Sequence, residues 1–213
     1  MPVTERSLVI LFVTVFGCEA AHQYFTYMLK ISSLQGSIAR LPGTLGEALT
    51  SLLEFVVLTM LIPQRVLEIE KNQPPGSFWQ FTTVHIKALS IESIRSLAVT
   101  LLWFILLLVP GIIKYIRYFF VPYVVVADPD YQAGKKDALQ ESDRLVKGIT
   151  LPLGIIICFL IFVDYKQGTL REDHFFWQSP VRSLVEIVVF FAINYYSNVW
   201  LFVLYQARVR GRK

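Results

Sequence analysis

Apolar residues gather in six blocks, at 7–29, 45–62, 94–110, 112–127, 149–163 and 184–205. Turn-forming residues punctuate them. Gly36, Pro42 and Gly43 mark a loop after the first block, and Pro63 stops the second. Pro110-Gly111 divides the third from the fourth, and Asp128-Pro129-Asp130 closes the fourth. A membrane-crossing helix needs about 20 largely apolar residues. The pattern therefore predicts an all-α polytopic transmembrane helix bundle of about six spans. The whole chain, 1–213, forms a single integral membrane domain in this reading.

Two weaker segments sit between the blocks. Residues 78–91 follow the turn Gln73-Pro74-Pro75-Gly76-Ser77 and mix Phe78, Trp79, Phe81, Ile86 and Leu89 with Thr82, His85 and Lys87. This composition suits an amphipathic segment at the membrane surface, with Trp79 at headgroup depth. Residues 135–147 place Ala138, Leu139, Ser142, Leu145 and Val146 at helical spacing. Glu141 with Arg144, and Asp143 with Lys147, are spaced to pair on the other side, and Gly148 follows where a helix would end. That is the pattern of a cytoplasmic amphipathic helix. Between the fifth and sixth blocks, Phe175, Phe176 and Trp177 suit an interfacial anchor.

Composition agrees with the pattern. Of 213 residues, 54% are hydrophobic and 17% charged, against roughly 25% charged in soluble domains. The mean hydropathy is +0.53. Intrinsic disorder and a disulfide scaffold are excluded. The first block is not read as a signal peptide. Phe16 is bulky where the candidate cleavage site Val15-Phe16-Gly17-Cys18 needs small residues, and the block runs on past Cys18.

The net charge of +4 does not imply nucleic acid, because Lys and Arg cluster only in the last six residues. It does bear on topology, since cytoplasmic loops of membrane proteins collect basic residues. With six spans, both termini share a side. That side carries 13 basic residues: Arg6, Arg65, Lys71, Lys87, Arg95, Lys135, Lys136, Arg144, Lys147, Arg208, Arg210, Arg212 and Lys213. The other carries 7: Lys30, Arg40, Lys114, Arg117, Lys166, Arg171 and Arg182. If 112–127 does not span, giving five helices, the basic tail leaves the Arg6 side and the contrast fades. The expectation is thus six spans, both termini cytoplasmic, with Lys114 and Arg117 snorkelling to the outer face. At 16 residues the fourth block is short, and a tilted or partly re-entrant helix also fits.

The stretch 109–148 carries Pro110-Gly111, Pro122, Asp128-Pro129, then Ala138-Leu139, Ser142, Leu145 and Gly148, with Asp137 just before the alanine. It resembles a bacterial polytopic membrane-domain superfamily. That group includes the membrane domain of some glycerophosphodiester phosphodiesterases and stand-alone membrane proteins of uncharacterised function. The likeness covers about 40 of the 213 residues, and glutamate is more usual than Asp137 at its position. It implies a helical bundle of about six spans in a bacterial inner membrane. It implies no catalysis, because the phosphodiesterase activity of the fused proteins belongs to a separate soluble domain. The motif residues read as architectural. Pro110 and Gly111 turn a helix, Pro122 frees a backbone carbonyl, and Ser142 can supply a hydrogen bond to such a carbonyl or to its own helix.

Ionisable residues inside spans are costly and are candidates for function. Glu19 lies midway along the first block, His22 one turn later, Glu54 mid-block in the second and Asn194 mid-block in the sixth. If these helices meet, Glu19, His22, Glu54 and Asn194 form one intramembrane polar cluster. The bland reading is a hydrogen-bonded clamp; the sharper one is a proton or solute site. Glu19 and His22 have the ExxH spacing of di-iron bundles, but those need a second copy and further glutamates, so no metal is expected. Cys18 and Cys158 read as small buried hydrophobes. No GxSxG, HExxH, Walker A or GxGxxG occurs, and His85 and His174 read as surface residues of interfacial loops.

The expectation is a non-enzymatic integral membrane protein without a cofactor, a scaffold or accessory subunit among membrane lipids and a membrane-protein partner. The alternative is a small transporter or a lipid- or solute-binding protein working through the polar cluster. The Pro-Gly break supports this alternative, and the lack of a visible inverted repeat weakens it.

Overall fold

The computed structural model describes residues 5–32, 41–70, 76–172 and 179–211, leaving aside some side chains within the helices, those of Glu19 and Glu54 among them. All regular structure among these residues is helical. The elements are α1 (Glu5–Ser32), α2 (Leu41–Glu70), α3 (Phe78–Leu106), α4 (Leu108–Arg117), α5 (Val121–Ala127), α6 (Pro129–Gln132), α7 (Ala138–Val146), α8 (Thr150–Glu172) and α9 (Pro180–Arg210). Four described segments are long and apolar enough to cross a membrane: Leu41–Glu68, Phe78–Leu106, Leu108–Ala127 and Pro180–Arg210. Ala138–Val146 joined to Thr150–Val163 would make a fifth, but the two are bent by 100°. This is the helix content of an integral membrane protein.

Several boundaries move from those expected. Pro42 and Gly43 are not loop but the first turn of α2, where a proline's missing N–H has no helical partner to lose. Pro63 does not stop α2, which runs through it to Glu70. The good helix formers Gln64, Arg65, Leu67 and Glu68 carry it on, and Arg65 and Glu68 form an i,i+3 ion pair. The expected surface segment 78–91 runs without a break into the expected span 94–110 as one helix, α3, which ends at Leu106. The Phe175, Phe176 and Trp177 anchor and His174 lie outside the described residues.

The chain divides into two units. The first comprises Met1–Leu61 and Val163–Asn198. Here α1 and α2 approach closely through glycine. A Cβ at Gly46 would collide with the Phe25 ring, and one at Gly43 would fall 2.6 Å from Leu29. Small residues at such crossings let helices pack where no hydrophobic effect drives them together. Phe12 of α1 meets Phe191 of α9 edge to face, ring centroids 5.5 Å apart.

The second unit comprises Ile62–Phe162 and Val199–Lys213. Its core is aromatic and β-branched. Phe120, Tyr123, Phe202 and Tyr205 are buried together with Val121, Val124, Val125 and Val126. Tyr123 and Phe202 meet edge to face at 5.5 Å, and Phe120 and Tyr205 at 5.8 Å.

In this unit α3 and α4 form a helical hairpin. Leu107 between them is extended (φ −155°, ψ 124°). Its N–H still donates to Trp103 O (2.8 Å), and its carbonyl accepts from Gly111 N (3.1 Å). The break therefore lies three residues before Pro110-Gly111. Pro110 falls in the first turn of α4, where its missing donor costs nothing. Gly111 brings the returning helix close, since a Cβ there would sit 2.7 Å from the Phe104 ring.

The expected span 112–127 is not one straight helix. It breaks at Tyr118 and Phe120, whose backbones (ψ 4° and 0°) leave the helical region, and restarts as α5 with Pro122 in its first turn. A proline at 122 would clash with the carbonyl four residues back in a continuous helix. Lys114 and Arg117 do not point to a face opposite 135–147. Both pair with Asp143 of α7, at 3.2 and 3.4 Å.

Candidate functional site

Of the expected polar cluster, Glu19 and Glu54 lie outside the described side chains. His22 and Asn194 are half-buried. Their carbonyls accept from Thr26 Oγ1 (3.0 Å) and Asn198 Nδ2 (2.9 Å), one turn on in each helix.

The second unit gathers polar chemistry in two places. The first is a brace around α7. Asp137 is its N-cap, accepting from Gln140 N at 3.0 Å, the usual role of Asp at that position. The same carboxylate holds Arg95 of α3. One turn and a half on, Asp143 holds Lys114 and Arg117 of α4. Between them Ser142, fully buried, donates to Arg117 O at 2.7 Å, satisfying a carbonyl left over where α4 ends. At the other end of α7, Arg208 Nε donates to Leu145 O at 3.2 Å. Gly148 makes room for it, because a Cβ there would fall 2.8 Å from the Arg208 guanidinium. Asp128 caps α6 through Asp130 N (2.9 Å) and pairs with Lys136, while Pro129 opens that helix. Ala138 and Leu139 are buried in the first turn of α7. The motif residues from Pro110 to Gly148 thus each make a turn, a cap or a helix contact. The expected Asp143–Lys147 pairing is replaced by the longer-range one, whereas Glu141 and Arg144 do pair, at 2.8 Å.

Partial burial pulls the Asp137 carboxyl up. The Gln140 amide and Arg95 outweigh it, so Asp137 ionises below its ordinary value. Hydrogen bonding to Asp130, then to Asp128, holds Lys136 above its own.

The second place is a cavity of about 210 Å³ lined by Gln64, Glu68, Phe81, His85, Val126 and Gln132, among others. His85 is not in a loop but half-buried in α3. Its Nδ1 lies 2.8 Å from Phe81 O, a carbonyl that can only accept a hydrogen bond, so Nδ1 is the donor. Nε2 is then an acceptor, facing Gln132 Nε2 at 3.3 Å. Glu68 accepts from Gln64 Nε2 (2.8 Å), Arg65 Nη1 (2.6 Å) and Gly76 N (2.9 Å). Gln64 Oε1 is buried with no hydrogen-bond partner, an acceptor open to a donor from a water or a small polar molecule. Sequence reasoning missed this site because its residues span 69 positions and no spacing links them. Among the described residues, no group of three or more His, Cys, Asp or Glu is placed to hold a metal.

Comparison with protein-family models, curated proteins and solved structures returns no match.

Proposed function

We propose that this is a non-enzymatic integral membrane protein acting as a scaffold or accessory subunit of a membrane complex. The carrying observation is the brace around α7, in which Arg95, Lys114, Arg117, Asp137 and Asp143 are engaged with one another. Charges used this way fix helices against each other and present a shaped surface. The likeness of residues 109–148 to the bacterial membrane-domain superfamily accords with this, and makes a bacterial inner membrane with cytoplasmic termini the matching location.

A second reading, a small transporter or lipid- or solute-binding protein, is favoured by the cavity at Gln64, His85 and Gln132. The proposed cluster of Glu19, His22, Glu54 and Asn194 would serve the same reading.

Extraction in mild detergent followed by mass spectrometry of what co-purifies tests both. The scaffold reading expects a reproducible, stoichiometric membrane-protein partner. A lone, monodisperse protein retaining a defined lipid or solute, lost in Gln132→Leu, would replace it with the second. Solute movement by the pure protein in liposomes would do the same.

A further inference from the structure

We infer that the α3–α4 hairpin is a re-entrant element that dips into one leaflet and returns, so that the chain crosses the membrane four times. The inference rests on the chain's being an integral membrane protein and goes beyond its proposed role.

Residues 96–113 are 18 consecutive positions without a charge. As a straight helix they would rise about 27 Å, nearly the full hydrocarbon thickness. They are not straight, because the chain reverses at Leu107 and Gly111 packs back onto Phe104. From Arg95 to Leu107 the rise is about 18 Å, and from Leu107 to Arg117 about 15 Å. Each arm therefore reaches roughly half of a hydrocarbon core about 30 Å thick.

Both ends of this apolar excursion are tied to one short helix. Arg95, just before it, binds Asp137, and Lys114 and Arg117, just after it, bind Asp143. Asp137 and Asp143 are six residues apart on α7 and its cap, about 9 Å along the helix axis. The excursion begins and ends on the same side of the membrane. Its apex is bare of protein, with Ile105 82% exposed and Leu106, Leu107, Leu108 and Val109 at 60–66%. The occupant of that surface is the acyl chains of a single leaflet. The reversal keeps two backbone hydrogen bonds, Leu107 N to Trp103 O and Gly111 N to Leu107 O, which lowers the cost of placing it among acyl chains.

The basic residues argue independently for the same topology. With α2 and α9 as crossings, and α1 and α8 crossing through the apolar blocks 7–29 and 149–163, Lys114 and Arg117 move to the side of both termini. The distribution becomes 15 against 5, sharper than the 13 against 7 of six spans. The positive-inside rule favours the steeper split.

The test is cysteine accessibility in sealed vesicles of both orientations, with a membrane-impermeant maleimide, in a background with Cys18 and Cys158 replaced. Ser179→Cys and Gly211→Cys report the two faces. Tyr115→Cys and Ile113→Cys, both at exposed positions, report the returning arm, and Leu107→Cys reports the apex. The expected result is labelling of the returning arm from the Gly211 face, with the apex labelled at least tenfold more slowly from either face. Labelling of position 107, 113 or 115 from the Ser179 face overturns the hairpin. Should Ser179→Cys and Gly211→Cys label from one face, α9 does not cross, and the four-span bundle falls for a different reason.

Discussion

The two units are built from similarly apolar sequence, and their described contacts differ in kind. In the first, α1 meets α2 where Gly43 and Gly46 leave space for Leu29 and Phe25, and Phe12 meets Phe191. Those described contacts work by close backbone approach and dispersion. In the second, hydrogen bonds and ion pairs bridge residues 25 to 63 positions apart, from Ser142–Arg117 to Arg208–Leu145. Shape tolerates many apolar substitutions but no added bulk at the crossing, whereas polar bridges do not tolerate the loss of a partner. The two units should therefore fail to different kinds of mutation.

The largest effect is expected from adding volume to the first unit. Gly46→Leu forces the Phe25 ring away and should cost about 3 kcal/mol, the upper part of the usual overpacking range. Denaturation in detergent measures the loss, and hydrogen exchange should place it in α1 and the first half of α2. Equal loss of protection across 78–149 would erase the contrast between the units.

Next is Asp143→Leu, which strands Lys114 and Arg117. All three side chains are about a quarter exposed, so the cost should be about 2 kcal/mol, below that of breaking a fully buried pair. Adding Lys114→Met and Arg117→Met should recover most of it, because the penalty lies in the unpaired cations. No recovery would mean that Asp143 acts through something other than these two partners. Ser142→Ala should cost about 1–2 kcal/mol, the price of a buried carbonyl left without its donor, again confined to the second unit.

Helix content was legible from the sequence because apolar block length reports it directly. How the chain turns was not. Residues 96–113 have the composition of a span whether straight or folded at Leu107, and only the partners of Arg95, Lys114 and Arg117 decide between them. Those partners were hidden by a local alternative, since Asp143 and Lys147 stand at i,i+4, a spacing that stabilises isolated helices. In the structure Asp143 is shared by two cations from α4 instead. Ser142 was legible as a donor but not its acceptor, because the carbonyl of Arg117 becomes free only when Pro122 forces the helix to restart. The steeper charge split was available in the sequence, but a four-crossing chain is suggested only after Lys114 is seen beside α7.

The smallest effect should come from acid, acting on one carboxyl of the second unit. Asp137 ionises below its ordinary value when folded, mainly because the Gln140 amide and Arg95 outweigh its partial desolvation. A carboxyl depressed by folding adds stability that is fully present above its unfolded pKa, about 3.9. That contribution fades as pH falls through the folded value. The melting temperature of the intact protein should therefore be insensitive to Asp137→Asn at low pH and lower in the variant at neutral pH. The two curves should converge as pH drops below about 4. No difference between the two proteins at any pH would assign Asp137 to helix capping alone, since asparagine also caps, and would remove Arg95 from the brace. Convergence would show that the charge, tying α3 to the start of α7, holds one end of the hairpin in place.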